Sequence, residues 1–299
     1  MILIVVSGTG VGAARVVGGA QAGGLMMLGW GVGAILAVVA FVVALTYGVA
    51  RVHASRPTAE LRAGPGAQGA ALLREFLAHI AAFVILAPFA RLWVRGRAAP
   101  ESMASPGSPV VLVHGYLLNG AAWWWFARRL EKHGFRPIST TIEPALGSID
   151  EMGESLARRI EEVCVATGAS SVHLVAHSMG GLVCRAYLRA HGAARIGCLV
   201  TIASPHRGTE IARLGIGRCA REMTPGAAWL SALAESEIRS KPPPTVALFS
   251  YYDNYIAPQE SSMLPWARSV PLPTLGHVEM YFSRRVAAQV CDALRARAA

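Results

Sequence analysis

Aspartate is nearly missing from this chain: in 299 residues it occurs only as Asp150, Asp253 and Asp292. Any chemistry that needs an aspartate therefore has three candidates, and a site built from many aspartates is excluded. Cysteine is also sparse. The five cysteines, Cys164, Cys184, Cys198, Cys219 and Cys291, are odd in number and lack metal-ligand spacing. They show neither a disulfide framework nor a zinc site. Acids are outnumbered, 18 against 28 basic residues, for a net charge of +10. The excess is almost wholly arginine and is spread along the chain. No compact basic block reads as a nucleic-acid arm, and no nucleic-acid partner is expected. No internal repeat is visible.

One long stretch lacks charge of either sign. Leu25 to Ala50 holds 26 consecutive uncharged, mostly apolar positions, where a bilayer core needs about 20. It exceeds a signal-peptide core and shows no clear cleavage site, so a transmembrane helix is predicted over residues 25–50. The Gly- and Ala-rich residues 1–24 read as an N-terminal tail or as the product of a start codon placed upstream of Met26. Residues 51–104 read as a juxtamembrane linker. Within it, Phe76 to Ala90 is a shorter apolar stretch that reads as an interfacial helix or one packed on the next domain. The alternative, a second span, changes topology. With one span, Arg51, Arg56 and Arg62 place the following domain on the cytoplasmic side; with two, the domain faces outward.

The strongest local pattern lies further on. Val172-His173-Leu174-Val175-Ala176-His177-Ser178-Met179-Gly180-Gly181 reads as a buried strand turning sharply into a helix, with one serine at the turn. Such an elbow lifts a serine hydroxyl to the edge of a sheet, and the positions two before and two after must be small. They are Ala176 and Gly180, a variant of the pattern with glycine at both. A serine nucleophile also needs a base, an acid to orient it and donors for the oxyanion. Val110-Val111-Leu112-Val113-His114-Gly115-Tyr116 is an apolar strand ending in His-Gly. It frees the Tyr116 N–H as one donor, and the Met179 N–H is the second. His114 itself is expected only to hydrogen-bond within its loop.

Asp253 follows the apolar strand Thr245 to Ser250, on the strand edge where the serine is expected. Glu210 and Glu260 are less well placed. Asp150 is expected as the N-cap of a helix, and Asp292 as a solvated helix residue. His277, in Leu275-Gly276-His277-Val278, is the one histidine downstream of Asp253 and is the candidate base. Strands are predicted at 110–113, 136–141, 172–176, 198–203 and 245–250. Helices are predicted at 121–132, 150–167, 179–190 and 278–297. The alternation argues an α/β protein with a parallel sheet and helices on both faces.

The region 105–299 resembles the α/β-hydrolase superfamily, and within it bacterial triacylglycerol lipases and carboxylesterases. The resemblance rests on Val113-His114-Gly115-Tyr116, Ala176-His177-Ser178-Met179-Gly180-Gly181, Thr201 to Thr209 with its Pro205-His206-Arg207-Gly208-Thr209 segment, Asp253 and Gly276-His277. It implies an α/β-hydrolase fold behind an N-terminal transmembrane helix. The implied activity is hydrolysis of carboxylic esters, of lipids or other apolar acyl groups, through an acyl-enzyme on Ser178, with no cofactor. A calcium site built from paired aspartates, present in some larger lipases, is not expected here, because one of three aspartates is needed beside His277. Residues 211–241, with Leu214, Trp229, Leu230 and Leu233 among charges, are the candidate lid. Of Trp123-Trp124-Trp125-Phe126, one or two are expected in the core and one at the acyl site or a membrane surface. The expected partners are an apolar acyl ester and membrane lipid, at a bacterial inner membrane. Two alternatives stand: an acyltransferase or thioesterase using the same triad, and a catalytically silent membrane adaptor.

Overall fold

The computed structural model describes residues 10–94, 108–238 and 241–298. The chain divides into two units, residues 1–42 and 43–299. The first unit is helical from Gly10 onward, the start of α1 (Gly10–Val52). The stretch set apart as a tail therefore continues, from Gly10, in the same helix as the apolar run; residues 1–9 lie outside the described residues. Large apolar side chains on this segment are exposed, among them Trp30, Val38 and Phe41.

The second unit begins with the last turns of α1, where Val43, Thr46 and Ala50 are buried. Next comes α2 (Pro65–His79), which starts with proline in its first turn, where the missing N–H costs nothing. It runs on as a wider helical turn over Ile80–Leu86. A short α3 (Ala90–Val94) follows. The residues expected as a linker thus include a helix belonging to the same unit as the sheet.

Six strands form one wholly parallel sheet: β1 (Val110–Val113), β2 (Pro137–Thr140), β3 (Val172–His177), β4 (Ile196–Ile202), β5 (Thr245–Ser250) and β6 (Arg268–Leu272). Their spatial order is β2-β1-β3-β4-β5-β6. Val111 pairs with Leu174 and Val175 with Val200, which puts the C-terminal ends of β1, β3 and β4 on one edge. The helices between strands are α4 (Trp124–Lys132), α5 (Ile149–Thr167), α6 (Met179–His191), α7 (Gly217–Glu222) and α8 (Ala228–Glu237), with α9 (Arg284–Ala298) last.

Alternation along the strands divides the core in two. Val110 and Leu112 face one apolar layer with Phe126, Leu130, Val290 and Leu294 of α4 and α9. Val111 and Val113 face the other, with Leu156, Ile160, Leu182 and Val183 of α5 and α6. Both faces are covered, which explains why the strands read as unbroken apolar runs. Trp123 and Phe126 are fully buried in the first layer. Trp124 instead stands edge-on to Trp93 and beneath Arg128.

Two local expectations are corrected. Asp150 is not the N-cap of α5. Ser148 is, through a reciprocal capping box: Glu151 N–H donates to Ser148 Oγ at 3.1 Å, and Ser148 N–H to a Glu151 carboxylate oxygen at 2.7 Å. Asp150 sits in the first turn and pairs with Arg189. The helix expected over 278–297 is broken. A 3₁₀ turn, Val278–Phe282, ends at the extended Ser283 before α9 begins. Its first amides are held by a carboxylate from α2, described below.

Candidate functional site

Ser178 stands between β3 and α6 with φ 55° and ψ −129°, a backbone conformation that a side-chain-bearing residue adopts only when its surroundings enforce it. Those surroundings are visible. The Ser178 N–H donates to Ile202 O on β4 at 2.9 Å, and the Gly181 N–H donates back to Ser178 O at 3.0 Å. A Cβ on Gly180 would lie 2.6 Å from Val113 O, and one on Gly115 would lie 2.9 Å from Ser178 Cβ. Both glycines are required by the closeness of the β1 end to the elbow. Ala176, two before the serine, is fully buried among Val113, Leu174 and Met179. Its methyl group is accommodated as core.

Asp253 and His277 are brought together. The His277 Nδ1 lies 2.9 and 3.0 Å from the two Asp253 carboxylate oxygens, and both side chains are almost wholly buried. Asp253 Oδ1 also accepts the N–H groups of Tyr255 at 2.8 Å and Ile256 at 2.9 Å. These bonds fix the direction of the carboxylate. A ring nitrogen facing that carboxylate carries a hydrogen, and Nε2 is the nitrogen on the other side of the ring. Asn254 adds a further hold, its Oδ1 accepting the His277 N–H at 3.0 Å, while its Nδ2 donates to Thr46 Oγ1 at 2.8 Å. No direct hydrogen bond joins Ser178 to His277. His177, the residue before the serine, packs on His277: its Nε2 lies 3.0 Å from His277 O and the ring centres are 4.6 Å apart. Serine–histidine bonds are often long before substrate arrives.

The other candidates sort themselves by contact. Glu210 is paired with Arg213, Asp292 with Arg295, and Glu260 is bonded through its backbone to Arg207; none touches His277. His114 does what its loop needs. Nδ1 lies 2.8 Å from Gly115 O, and Nε2 accepts the Ile142 N–H at 3.0 Å. Burial lowers its pKa to about 4, so it stays neutral. The Gly115 N–H is taken by Tyr281 OH at 3.1 Å, and Tyr116 follows it at the mouth of the elbow.

The Pro205–Thr209 segment is braced by a buried ion pair. Arg185 of α6 pairs with Glu237 of α8 at 2.7 Å and donates to His206 O at 2.8 Å. Next to it, the described part of 211–241 forms short helices, α7 and α8, after a 3₁₀ turn at Glu210–Leu214, while residues 239–240 lie outside the described residues. Ile216 is tied to Tyr116 OH through both its N–H and its C=O, each at 2.8 Å. Among the described residues no cluster of three or more His, Cys, Asp or Glu side chains is grouped to hold a metal.

One group at the site escaped the sequence reading. Glu75 of α2 is fully buried and accepts the N–H groups of Val278 at 3.0 Å and Glu279 at 2.8 Å, just after His277. The available signal was a lone carboxylate in an otherwise apolar run, the only acid between Glu60 and Glu101.

A family profile for the alpha/beta hydrolase fold matches residues 108–218. A triacylglycerol lipase of Burkholderia plantarii is 32% identical over 122 residues, covering 38% of this chain and 34% of that protein. A triacylglycerol lipase of Pseudarthrobacter phenanthrenivorans is 32% identical over 120 residues, covering 38% and 37%. The chain thus spans about a third of the length of these curated relatives. The crystal structure of a mature Bacillus licheniformis lipase superposes with a TM-score of 0.56 at 15% identity, over 64% of this chain and 95% of that one. Strand order, elbow position and these likenesses agree: from β1 onward, the chain has the α/β-hydrolase fold.

Proposed function

We propose that this protein is a membrane-anchored serine hydrolase that cleaves carboxylic esters of apolar acyl groups. The observation that carries the reading is the Asp253–His277 pair, buried and bonded through Nδ1, on the same sheet edge as a serine held at positive φ. In the cycle, His277 Nε2 takes the Ser178 proton as Oγ attacks the ester carbonyl. Asp253 orients the ring and stabilises its cationic form. The N–H groups of Tyr116 and Met179 receive the oxyanion, each contributing about 3 kcal/mol. His277 then protonates the departing alcohol, and water, deprotonated by the same ring, releases the acid from Ser178. No cofactor takes part.

An apolar substrate is supported by the rim. Leu117, Leu146, Leu214 and Ile216 are exposed large apolar side chains, near Tyr116 and on the 211–241 segment that it grips. That segment is the proposed lid. To swing away, its short helices must break the Tyr116–Ile216 bonds, the bonds of the Arg218 and Cys219 N–H groups to Leu146 O and Gly147 O, the Ile149 N–H bond to Glu222, and the Arg185–Glu237 pair. The proposed anchor is the apolar helix over Gly29–Val52. Because α2 is tied into the hydrolase unit by buried polar contacts, we read a single span. Arg51, Arg56 and Arg62 beyond it then put the catalytic unit on the cytoplasmic side of a bacterial inner membrane.

The test is hydrolysis of p-nitrophenyl esters of increasing acyl length by the full chain in detergent. Activity should rise from acetate toward medium or long chains and fall to background in Ser178→Ala. Product analysis with added alcohol separates transfer to that alcohol from hydrolysis. A Ser178→Ala variant as active as the parent would end the proposal.

A further inference from the structure

His277 is held from outside the hydrolase sheet. Both Glu75 carboxylate oxygens are spent on the first two amides of the 3₁₀ turn that follows it, those of Val278 and Glu279. A carboxylate that accepts two successive buried N–H groups at the start of a helical turn fixes that turn in place. The glycine before the histidine is matched to it: a Cβ on Gly276 would lie 2.5 Å from a Glu75 carboxylate oxygen and 2.8 Å from Glu75 Cβ.

The neighbours of Glu75 on α2 continue the grip. Arg74 pairs with the Glu279 carboxylate and donates to Thr274 O at 3.1 Å. Glu279 in turn accepts the Gly276 N–H at 3.1 Å. One helical turn on, His79 Nδ1 lies 2.8 Å from Glu75 O and Nε2 lies 2.9 Å from Tyr255 OH. The Tyr255 ring stacks on that of His277, with centres 4.9 Å apart at 29°. One turn of α2 therefore addresses the backbone on both sides of His277 and, through Tyr255, its ring.

We propose that Glu75 is a positioning residue for His277, so that the helix preceding the hydrolase sheet is a working part of the catalytic machinery. The inference rests on the reading of His277 as the base. Glu75 reaches no reacting atom; it fixes the peptide from which the base projects. The charged and titratable groups around it are Tyr47, Arg74, His79, Asp253, Tyr255, His277 and Glu279. Burial pushes its pKa up to about 7, against the two backbone bonds that favour the ionised form.

A role confined to folding predicts that removing Glu75 lowers the melting temperature and the amount of folded enzyme while leaving turnover per labelled site unchanged. A positioning role predicts a loss in kcat. The experiment uses the full chain in detergent, with active sites counted by fluorophosphonate labelling and with kcat, KM and melting temperature measured. The variants are Glu75→Ala, the near-isosteric Glu75→Gln and, from the other side of the contact, Gly276→Ala. Expected for Glu75→Ala is a fall in kcat of about 10- to 100-fold with KM within about threefold. Glu75→Gln, which keeps one acceptor oxygen, should fall between parent and Glu75→Ala, and Gly276→Ala should repeat the kcat loss. Should Glu75→Ala fail to fold, the other two decide. Unchanged kcat per labelled site in the folded variants overturns the inference and leaves the hydrolase reading standing. A parent that neither labels nor turns over overturns both.

Discussion

Among the described residues two helices are long and apolar enough to cross a membrane, Gly29–Val52 and Pro65–Leu86, and they are different objects. Of the first, 11% of its apolar window is buried; of the second, 33%. The first presents Val38 and Phe41 to its surroundings and has no charged residue before Arg51. The second carries Glu75 and His79 with both side chains buried, bonded to Glu279 and Tyr255, 204 and 176 positions away in sequence. Hydropathy alone ranks them together. Placing an ionised carboxylate at a bilayer centre costs about 2.5–3.5 kcal/mol on insertion scales, whereas inside the hydrolase unit the same group finds two donors. Hydrogen bonds to distant residues mark the packed part of an apolar helix: the second helix, and the last turns of the first, where Thr46 Oγ1 accepts from Asn254 Nδ2 at 2.8 Å.

The sharpest way to break this comparison is deletion. Removing residues 1–42 should release the protein from membranes while esterase activity stays within about threefold of the parent. Removing residues 1–86 should abolish activity, because the turn after His277 loses its carboxylate and the core loses Ala78 and Ala82. Equal behaviour of the two truncations, by activity and membrane flotation, contradicts the distinction.

A charge inserted into each helix gives a smaller contrast. Ala82→Arg buries an unpaired cation at a fully enclosed site and should cost about 3–5 kcal/mol of domain stability. Val38→Arg, at an exposed position, should leave the melting temperature unchanged and weaken membrane retention, read by carbonate extraction.

The smallest effect is one of pH. His79 on α2 has its pKa lowered to about 4, chiefly by burial. A histidine held neutral in the fold contributes stability that is complete above its unfolded pKa of about 6.5 and is lost as pH falls through about 4. His114 behaves in the same sense. The melting temperature should therefore drop between pH 6.5 and 4, and His79→Gln should drop less over that range. A variant that follows the parent's curve throughout would show that His79 is not held neutral.

Much of this fold could be read from the chain. Val110 to Val113 and Thr245 to Ser250 form strands with the predicted bounds, because strands buried on both faces leave unbroken apolar runs. The pairing of Asp253 with His277 was legible because aspartate is scarce and strand order fixes which loops meet. The N-cap of α5 was misplaced although its signal, Ser148 followed three residues later by Glu151, stood in the sequence beside Asp150. The break at Ser283 was not legible. Residues 278–297 are locally helical in pattern, and their first amides are claimed by Glu75, a contact that no window of neighbouring residues contains. The same distance hid Glu75 itself.

The account stands on Ser178 as a nucleophile activated by His277. Its most direct measurement is labelling of the full chain with a fluorophosphonate, followed by mass spectrometry of the modified peptide. The account predicts one adduct, on Ser178, lost in Ser178→Ala and slowed by about a thousandfold or more in His277→Ala. Absence of label from the folded parent, or a Ser178 adduct formed as fast without His277, would contradict it.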